Sequence, residues 1–170
     1  MSRYSRVAIL FHWTIAVLVI ANLLIGFFHD AIGLMPQHKA IGITVLLLTL
    51  ARVAWRLGHR PPPLPATTPS WQITASRVAH WALYLFMIAM PLTGWLMVSG
   101  AEKRRPLDWF GLFDIPFLPV GATGGGIGHE GHELLAIPFA LLVLIHIAAA
   151  LKHQFIDRDD LIARMWPARS

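Results

Sequence analysis

Gly131–Lys152 reads GHELLAIPFALLVLIHIAAALK, an apolar run that opens on His132 and carries a second histidine, His146, deep inside it. At ~1.5 Å rise and ~100° turn per residue, the fourteen steps between them set the imidazoles ~21 Å apart along a helix axis and within ~40° of one face. An ionisable side chain inside a membrane segment is costly, so it marks a functional site and requires a partner. The rest of the chain supplies the candidates.

With 56% hydrophobic and 14% charged residues in 170, the chain has the composition of a membrane protein and the length of one domain, residues 1–170. It has no cysteine, which excludes disulfides, thiolate ligation of haem or iron–sulfur clusters, and cysteine-type zinc sites. Any metal must be held by His, Met, carboxylate or carbonyl groups. Nine histidines and seven tryptophans are high counts for this length. The net charge of +5 is distributed as membrane orientation requires and does not indicate nucleic acid.

Four apolar runs, about residues 7–28, 37–57, 75–99 and 132–152, predict an all-α, integral membrane four-helix bundle. The first, Val7–Phe28, is too long for a signal-peptide core and ends in Phe27-Phe28-His29-Asp30, without a small-residue cleavage pattern. A short turn, Asp30–Pro36, leads to the second, Gln37–Leu57, with His38 at its start and Arg52 and Arg56 near its end. Gly58–Trp71 has five prolines in fourteen residues and reads as an extended polar linker. The third run, Ala75–Ser99, carries His80 near its start and Pro91 inside, where a kink is expected. Gly100–Glu130 holds Lys103-Arg104-Arg105, then Trp109, Phe110, Phe113 and Phe117, then glycines; it predicts an interfacial cap followed by a flexible lead into the fourth helix. Gln154–Ser170 reads as a short amphipathic or disordered tail. If the four helices alternate, ten of the fourteen Lys and Arg fall on the side of both termini, which the positive-inside rule places in the cytoplasm.

Depth then sorts the histidines. Counted from the cytoplasmic helix ends at ~1.5 Å per residue, His12 lies ~8 Å in and His146 ~9 Å in. His38 and His132 open their helices at the opposite boundary, so four histidines on three helices form two stacked pairs. Two neutral imidazoles facing across a bundle are what a six-coordinate haem needs, and two such sites across the bilayer make an electron path. His80, ~8 Å into the third helix, competes with His12 as the partner of His146, and depth does not separate them. Gly26 and Arg52 lie fourteen residues after His12 and His38, on the corresponding faces. The glycine leaves room for a macrocycle edge near the outer pair, and the guanidinium points toward the inner pair, where it suits haem carboxylates. His153, seven residues after His146 at the cytoplasmic interface, suits a quinone head group. His29, His59 and His129 lie in connections and receive no role. Gly126-x-Gly128-x-x-Gly131 matches a dinucleotide fingerprint by letters only, since no strand precedes it.

Phe11-His12-Trp13, His38 with Arg52–Leu57 (RVAWRL), and His132-Glu133 followed by Leu144-Ile145-His146 and Ala148–His153 (AAALKH) resemble the bacterial cytochrome b561 family. The resemblance covers nearly the whole chain. It implies a multi-pass inner-membrane protein with two b-type haems that exchanges electrons with quinone, and it pairs His12 with His146 and His38 with His132. The chain is most similar to small stand-alone members that oxidise periplasmic superoxide and pass the electrons to ubiquinone. Lys39 and Lys103-Arg104-Arg105 are a physical correlate, able to focus an anion near the outer pair. An electron-transfer subunit of a hydrogenase or formate dehydrogenase type complex is the alternative; the small soluble parts favour a protein whose partners are lipid, quinone and a small donor, with no obligate protein partner. A His-lined metal or proton transporter would place acidic residues within the spans, and beyond boundary Glu133 the sequence has none.

Overall fold

The computed structural model describes residues 3–63, 68–159 and 161–166. Four long apolar helices, α1 (Arg6–Phe27), α3 (Met35–Gly58), α4 (Ser70–Gly100) and α5 (Ala122–Lys152), are each long enough to cross a membrane. A single turn, α2 (His29–Ile32), joins α1 to α3 and ends on Gly33, whose φ of +69° is a left-handed close that glycine accepts without strain. A π-helical turn, His153–Asp157, and a 3-10 turn, Ile162–Met165, follow α5. Among the described residues there is no strand; one isolated bridge pairs Asp108 with Asp114.

α1 packs on α3, α3 on α4, and α4 on α5. All four helices contribute to one central layer: Ile15 and Val19, Val45, Tyr84, Met87 and Met90, and Phe139, with Phe86 and Phe139 stacked at 5.6 Å. The outward faces carry Leu10, Val17, Leu24, Leu134, Ile137 and Leu144, all exposed. Such a surface is a liability in water and the natural wall of a bundle in lipid, where close packing, not hydrophobicity, holds helices together. α4 and α5 meet through glycines. A Cβ on Gly128 would stand 2.5 Å from the Met97 nitrogen and 2.7 Å from the Thr93 carbonyl oxygen, so only glycine allows this approach.

The four spans fall where the sequence predicts them, with three differences at their ends. The glycine run expected as a flexible lead is the first three turns of α5: Gly125 and Gly128 are buried against α4, and that packing overrides glycine's weak helix propensity. α4 begins at Ser70, so Ser70 and Trp71 of the expected linker are helical; residues 64–67 of that linker lie outside the described residues. The tail folds back as well. The Trp13 indole donates to the Met165 carbonyl at 2.8 Å and meets Trp166 edge-on at 5.5 Å, while Arg164 donates to the Pro63 carbonyl at 2.8 Å.

The cap expected over Gly100–Glu130 occupies residues 101–121. Leu107 and Ile115 are buried with Ile43 of α3, ringed by Trp95, Val98, Trp109 and Phe117. Its polar ties run to the same helices: Trp109 Nε1 donates to Thr44 Oγ1 at 2.9 Å, Trp95 Nε1 to the Pro116 carbonyl at 3.0 Å, and Lys39 Nζ to the Pro106 carbonyl at 2.7 Å. The chain reverses at Phe110 and Gly111, both left-handed, with Asp108 accepting from the Gly111 amide at 2.6 Å.

Candidate functional site

The bundle brings the two depth-matched pairs together. His38 of α3 and His132 of α5 have ring centres 6.1 Å apart, and His12 of α1 and His146 of α5 have ring centres 6.4 Å apart. Two imidazoles bound on opposite sides of one metal, at the ~2 Å of an imidazole–metal bond, have ring centres roughly 6 Å apart. Both separations match that requirement.

At the outer pair each ring is held by its Nδ1. His38 donates to the Asn22 carbonyl at 3.1 Å, and His132 donates to the Met90 carbonyl at 3.1 Å beside the Thr93 hydroxyl at 3.2 Å. With the proton fixed on Nδ1, Nε2 carries the lone pair that a metal takes, the usual arrangement behind a ligating histidine. A cavity of 590 Å³ opens between them, within the ~300–1,000 Å³ range of cofactor sites. Glycines clear its walls: a Cβ on Gly26 would stand 2.9 Å from His38 Cε1, and one on Gly94 3.3 Å from His132 Cε1. The side-chain oxygen of Asn22, also in this wall, is buried without a partner. A large planar group bound through its metal fits these residues.

The inner level is arranged differently. Arg52 Nη1 donates to His12 Nδ1 at 3.2 Å, and the guanidinium lies over the Tyr84 ring at 5.7 Å, with Arg56 over the same ring at 5.8 Å. His80 enters from α4, its ring 5.5 Å from that of His146 and its Nδ1 donating to the Ser76 carbonyl at 2.6 Å. The cavity among them is 80 Å³, too small for a macrocycle with the side chains so placed. Val19, Met87 and Phe139 line both cavities and are the partition between them.

His153 lies on the π-helical turn beyond α5, away from both cavities. Its Nδ1 faces Asp159 at 2.6 Å and Asp157 at 3.3 Å, and Lys152 pairs with the same Asp157 carboxylate. Two histidines that received no role from the sequence, His29 and His129, line the outer cavity, and His129 pairs with Glu133 at 3.6 Å. His129 precedes His132 by three residues, a spacing visible in the sequence as a possible transient metal pair; the structure adds that both lie on one helix, which reaches back to Ala122. Of the outer cations, Lys103 and Arg105 line the cavity mouth; Arg104 instead lies over Phe117 at 5.2 Å, and Lys39, though also in the wall, is tied to Pro106.

Four apolar spans enclosing facing imidazole pairs are the arrangement of a membrane cytochrome of the b type. The comparisons agree with that class. A family model described as prokaryotic cytochrome b561 matches residues 3–168, and the chain belongs to that family. It is 36% identical to cytochrome b561 homolog 2 of Escherichia coli (strain K12), over 96% of this chain and 90% of the relative. It is 31% identical to cytochrome b562 of Cereibacter sphaeroides, over 98% of this chain and 96% of the relative. A probable superoxide oxidase, CybB, of Yersinia pestis is 26% identical over 98% of this chain and 97% of its own length. The protein is therefore a multi-pass, haem-binding electron-transfer protein of the bacterial inner membrane.

Proposed function

We propose that this chain is one autonomous domain that holds two b haems and oxidises superoxide at its periplasmic face while reducing ubiquinone. The observation that carries the reading is the outer site. There a 590 Å³ cavity lies between two imidazoles whose Nδ1 protons are both committed to backbone carbonyls. In the reading, His38 and His132 hold the outer haem, and His12 and His146 the inner one. Bound there, haem supplies reversible one-electron chemistry.

The chain's own residues do the rest. Lys103 and Arg105 at the mouth attract an anion against an otherwise acidic outer surface. Two superoxide anions each give up one electron and leave as dioxygen, and one quinone takes up two electrons and two protons to become quinol. In the reading, His153, its Nδ1 tied to Asp159, offers Nε2 to a quinone oxygen at the cytoplasmic interface, the side that the excess of Lys and Arg favours for both termini. Arg52 adds a half-buried positive charge beside the inner pair.

The test is a pyridine haemochrome count on detergent-purified protein, followed by stopped-flow superoxide consumption with a ubiquinone analogue. Two haems per chain and quinone-dependent superoxide loss are the expected results. A chain without haem, or a haem protein that superoxide does not reduce, would overturn the reading.

A further inference from the structure

Residues 106–118 of the cap run in two legs along the groove between α3 and α4, and both legs descend toward the middle of the bundle. On α3, Lys39 Nζ donates to the Pro106 carbonyl at 2.7 Å, while Trp109 Nε1 donates to Thr44 Oγ1 at 2.9 Å. Thr44 lies five residues, or ~7.5 Å along the axis, further in than Lys39. On α4, Ser99 Oγ accepts from the Leu118 amide at 3.0 Å, while Trp95 Nε1 donates to the Pro116 carbonyl at 3.0 Å. Trp95 lies four residues, or ~6 Å, further in than Ser99. The reversal at Phe110 and Gly111 is therefore the deepest part of the cap. Thr44 is also six residues, or ~9 Å, further in than His38, so the Trp109 indole reaches past the level of that imidazole along α3.

The hairpin is built for that depth. Its legs pair through the Asp108–Asp114 bridge. The amides of Trp109, Gly111, Leu112 and Ile115 all donate within it, to Phe113, Asp108, Trp109 and Leu107, which is what backbone beside lipid requires. On the protein side, Leu107 and Ile115 are buried against Ile43. The other side presents Phe110, Leu112 and Phe113, which are 48%, 72% and 57% exposed. Three large apolar side chains bare on one short turn are a liability in water. They continue a surface that is already apolar. One helical turn further in, Leu47 follows Thr44 on α3 and Leu92 precedes Trp95 on α4, each on the same helix face and each exposed. Both belong to the wall that the bundle turns to lipid, and the hairpin extends that wall.

We propose that residues 107–115 form a re-entrant hairpin whose turn inserts Phe110, Leu112 and Phe113 into the lipid leaflet at this end of the bundle, where headgroups meet acyl chains. Interfacial elements bury their apolar faces ~5–10 Å into that boundary, in agreement with the descent of the two legs. Aromatic side chains favour the same zone. The insertion also supports the outer site. Leu107, Ile43, Trp95 and Val98 line the outer cavity as well as the hairpin's core, so lipid against the turn holds that wall in place and closes the cavity between α3 and α4.

The chain has no cysteine, so a single introduced cysteine carries a nitroxide label without background. The full chain, as purified, is reconstituted in phosphatidylcholine vesicles with the label on Leu112→Cys, on Ile137→Cys of the outward α5 face, or on Glu102→Cys at the start of the cap. All three native side chains are exposed, and Ile137 lies five residues further in than His132. Power saturation of the electron paramagnetic resonance signal, with dissolved oxygen and with a water-soluble nickel chelate, compares access from lipid with access from water. The label at position 112 is expected to show the oxygen-rich, nickel-poor access of position 137, and the label at position 102 the reverse. Should Leu112→Cys not fold, Phe113→Cys is read in the same way. Nickel access at position 112 equal to that at position 102 overturns the proposal, because the turn then lies in water. A label at position 112 shielded from both reagents overturns it too, because protein and not lipid then covers the turn.

Discussion

Arg52 and His12, forty residues apart in sequence, are joined by a hydrogen bond from Nη1 to Nδ1 at 3.2 Å. The bond places a fixed positive charge on the rim of the inner site. A cation beside a redox centre favours its reduced form, so Arg52→Gln is expected to lower the potential of the inner haem. The Coulomb term for a nearby unit charge at an effective dielectric of ~20 is ~1–2 kcal/mol, or tens of millivolts. On the proposed two-haem reading, potentiometric titration separates an inner and an outer haem, and the outer one is expected to move little.

His38 and His146 separate the two sites cleanly, because each belongs to one level alone. His38→Ala is expected to leave one low-spin haem per chain, and His146→Ala likewise, with the two survivors differing in spectrum and potential. Two retained low-spin haems in both variants would refute the pairing of His38 with His132 and of His146 with the inner level.

The cations of the outer face are not equivalent. Lys103 and Arg105 line the cavity mouth, while Arg104 is spent on the Phe117 ring at 5.2 Å. Replacing Lys103 and Arg105 together by Gln is expected to slow reaction with superoxide by about tenfold at low ionic strength, with the difference shrinking as salt screens it. Arg104→Gln is expected to change the rate much less. Stopped-flow measurement at two or more salt concentrations checks both.

Much of this was legible in the sequence, and the limits have physical causes. The four spans are set by length and apolarity, so their existence is readable while their ends are not. The start of α5 is the clearest case: glycines read as flexible chain, yet Gly125 and Gly128 are helical because the α4 backbone leaves space for nothing larger. The two histidine pairs follow from depth along the helices, a one-dimensional quantity. What depth cannot supply is rotation about the axis and hydrogen-bond direction. That is why His80 and His12 could not be separated by spacing, why His129 was passed over, and why the division of labour among Lys39, Lys103, Arg104 and Arg105 emerges only with the cap in place.

The α4–α5 seam gives a stability prediction. A Cβ at Gly128 meets backbone atoms of Met97 and Thr93, which cannot rotate away as a side chain would. Gly128→Ala is expected to destabilise the bundle by ~1–3 kcal/mol, as overpacking does, and to loosen His132 four residues on. A lower melting temperature in detergent, together with reduced outer-haem occupancy, is the expected result. An unchanged melting temperature would mean that the helices separate there without cost.

Lys39 follows His38 directly, and its Nζ donates to the Pro106 carbonyl at 2.7 Å, so one helical turn of α3 holds both an outer imidazole and the cap. The cap residue it fixes lies next to Arg105, one of the two cations at the cavity mouth. A hydrogen bond from a charged donor contributes ~1.5–3 kcal/mol, so losing it should raise the open population of the cap by roughly tenfold or more. Lys39→Met is therefore expected to speed trypsin cleavage at Lys103–Arg105 by that order and to weaken the salt dependence of superoxide oxidation, with both haems still bound. Lys39→Arg, which keeps the charge and a donor, is expected to restore much of the protection. Unchanged cleavage in Lys39→Met would show that Trp109 on Thr44 and Trp95 on Pro116 hold the cap without it.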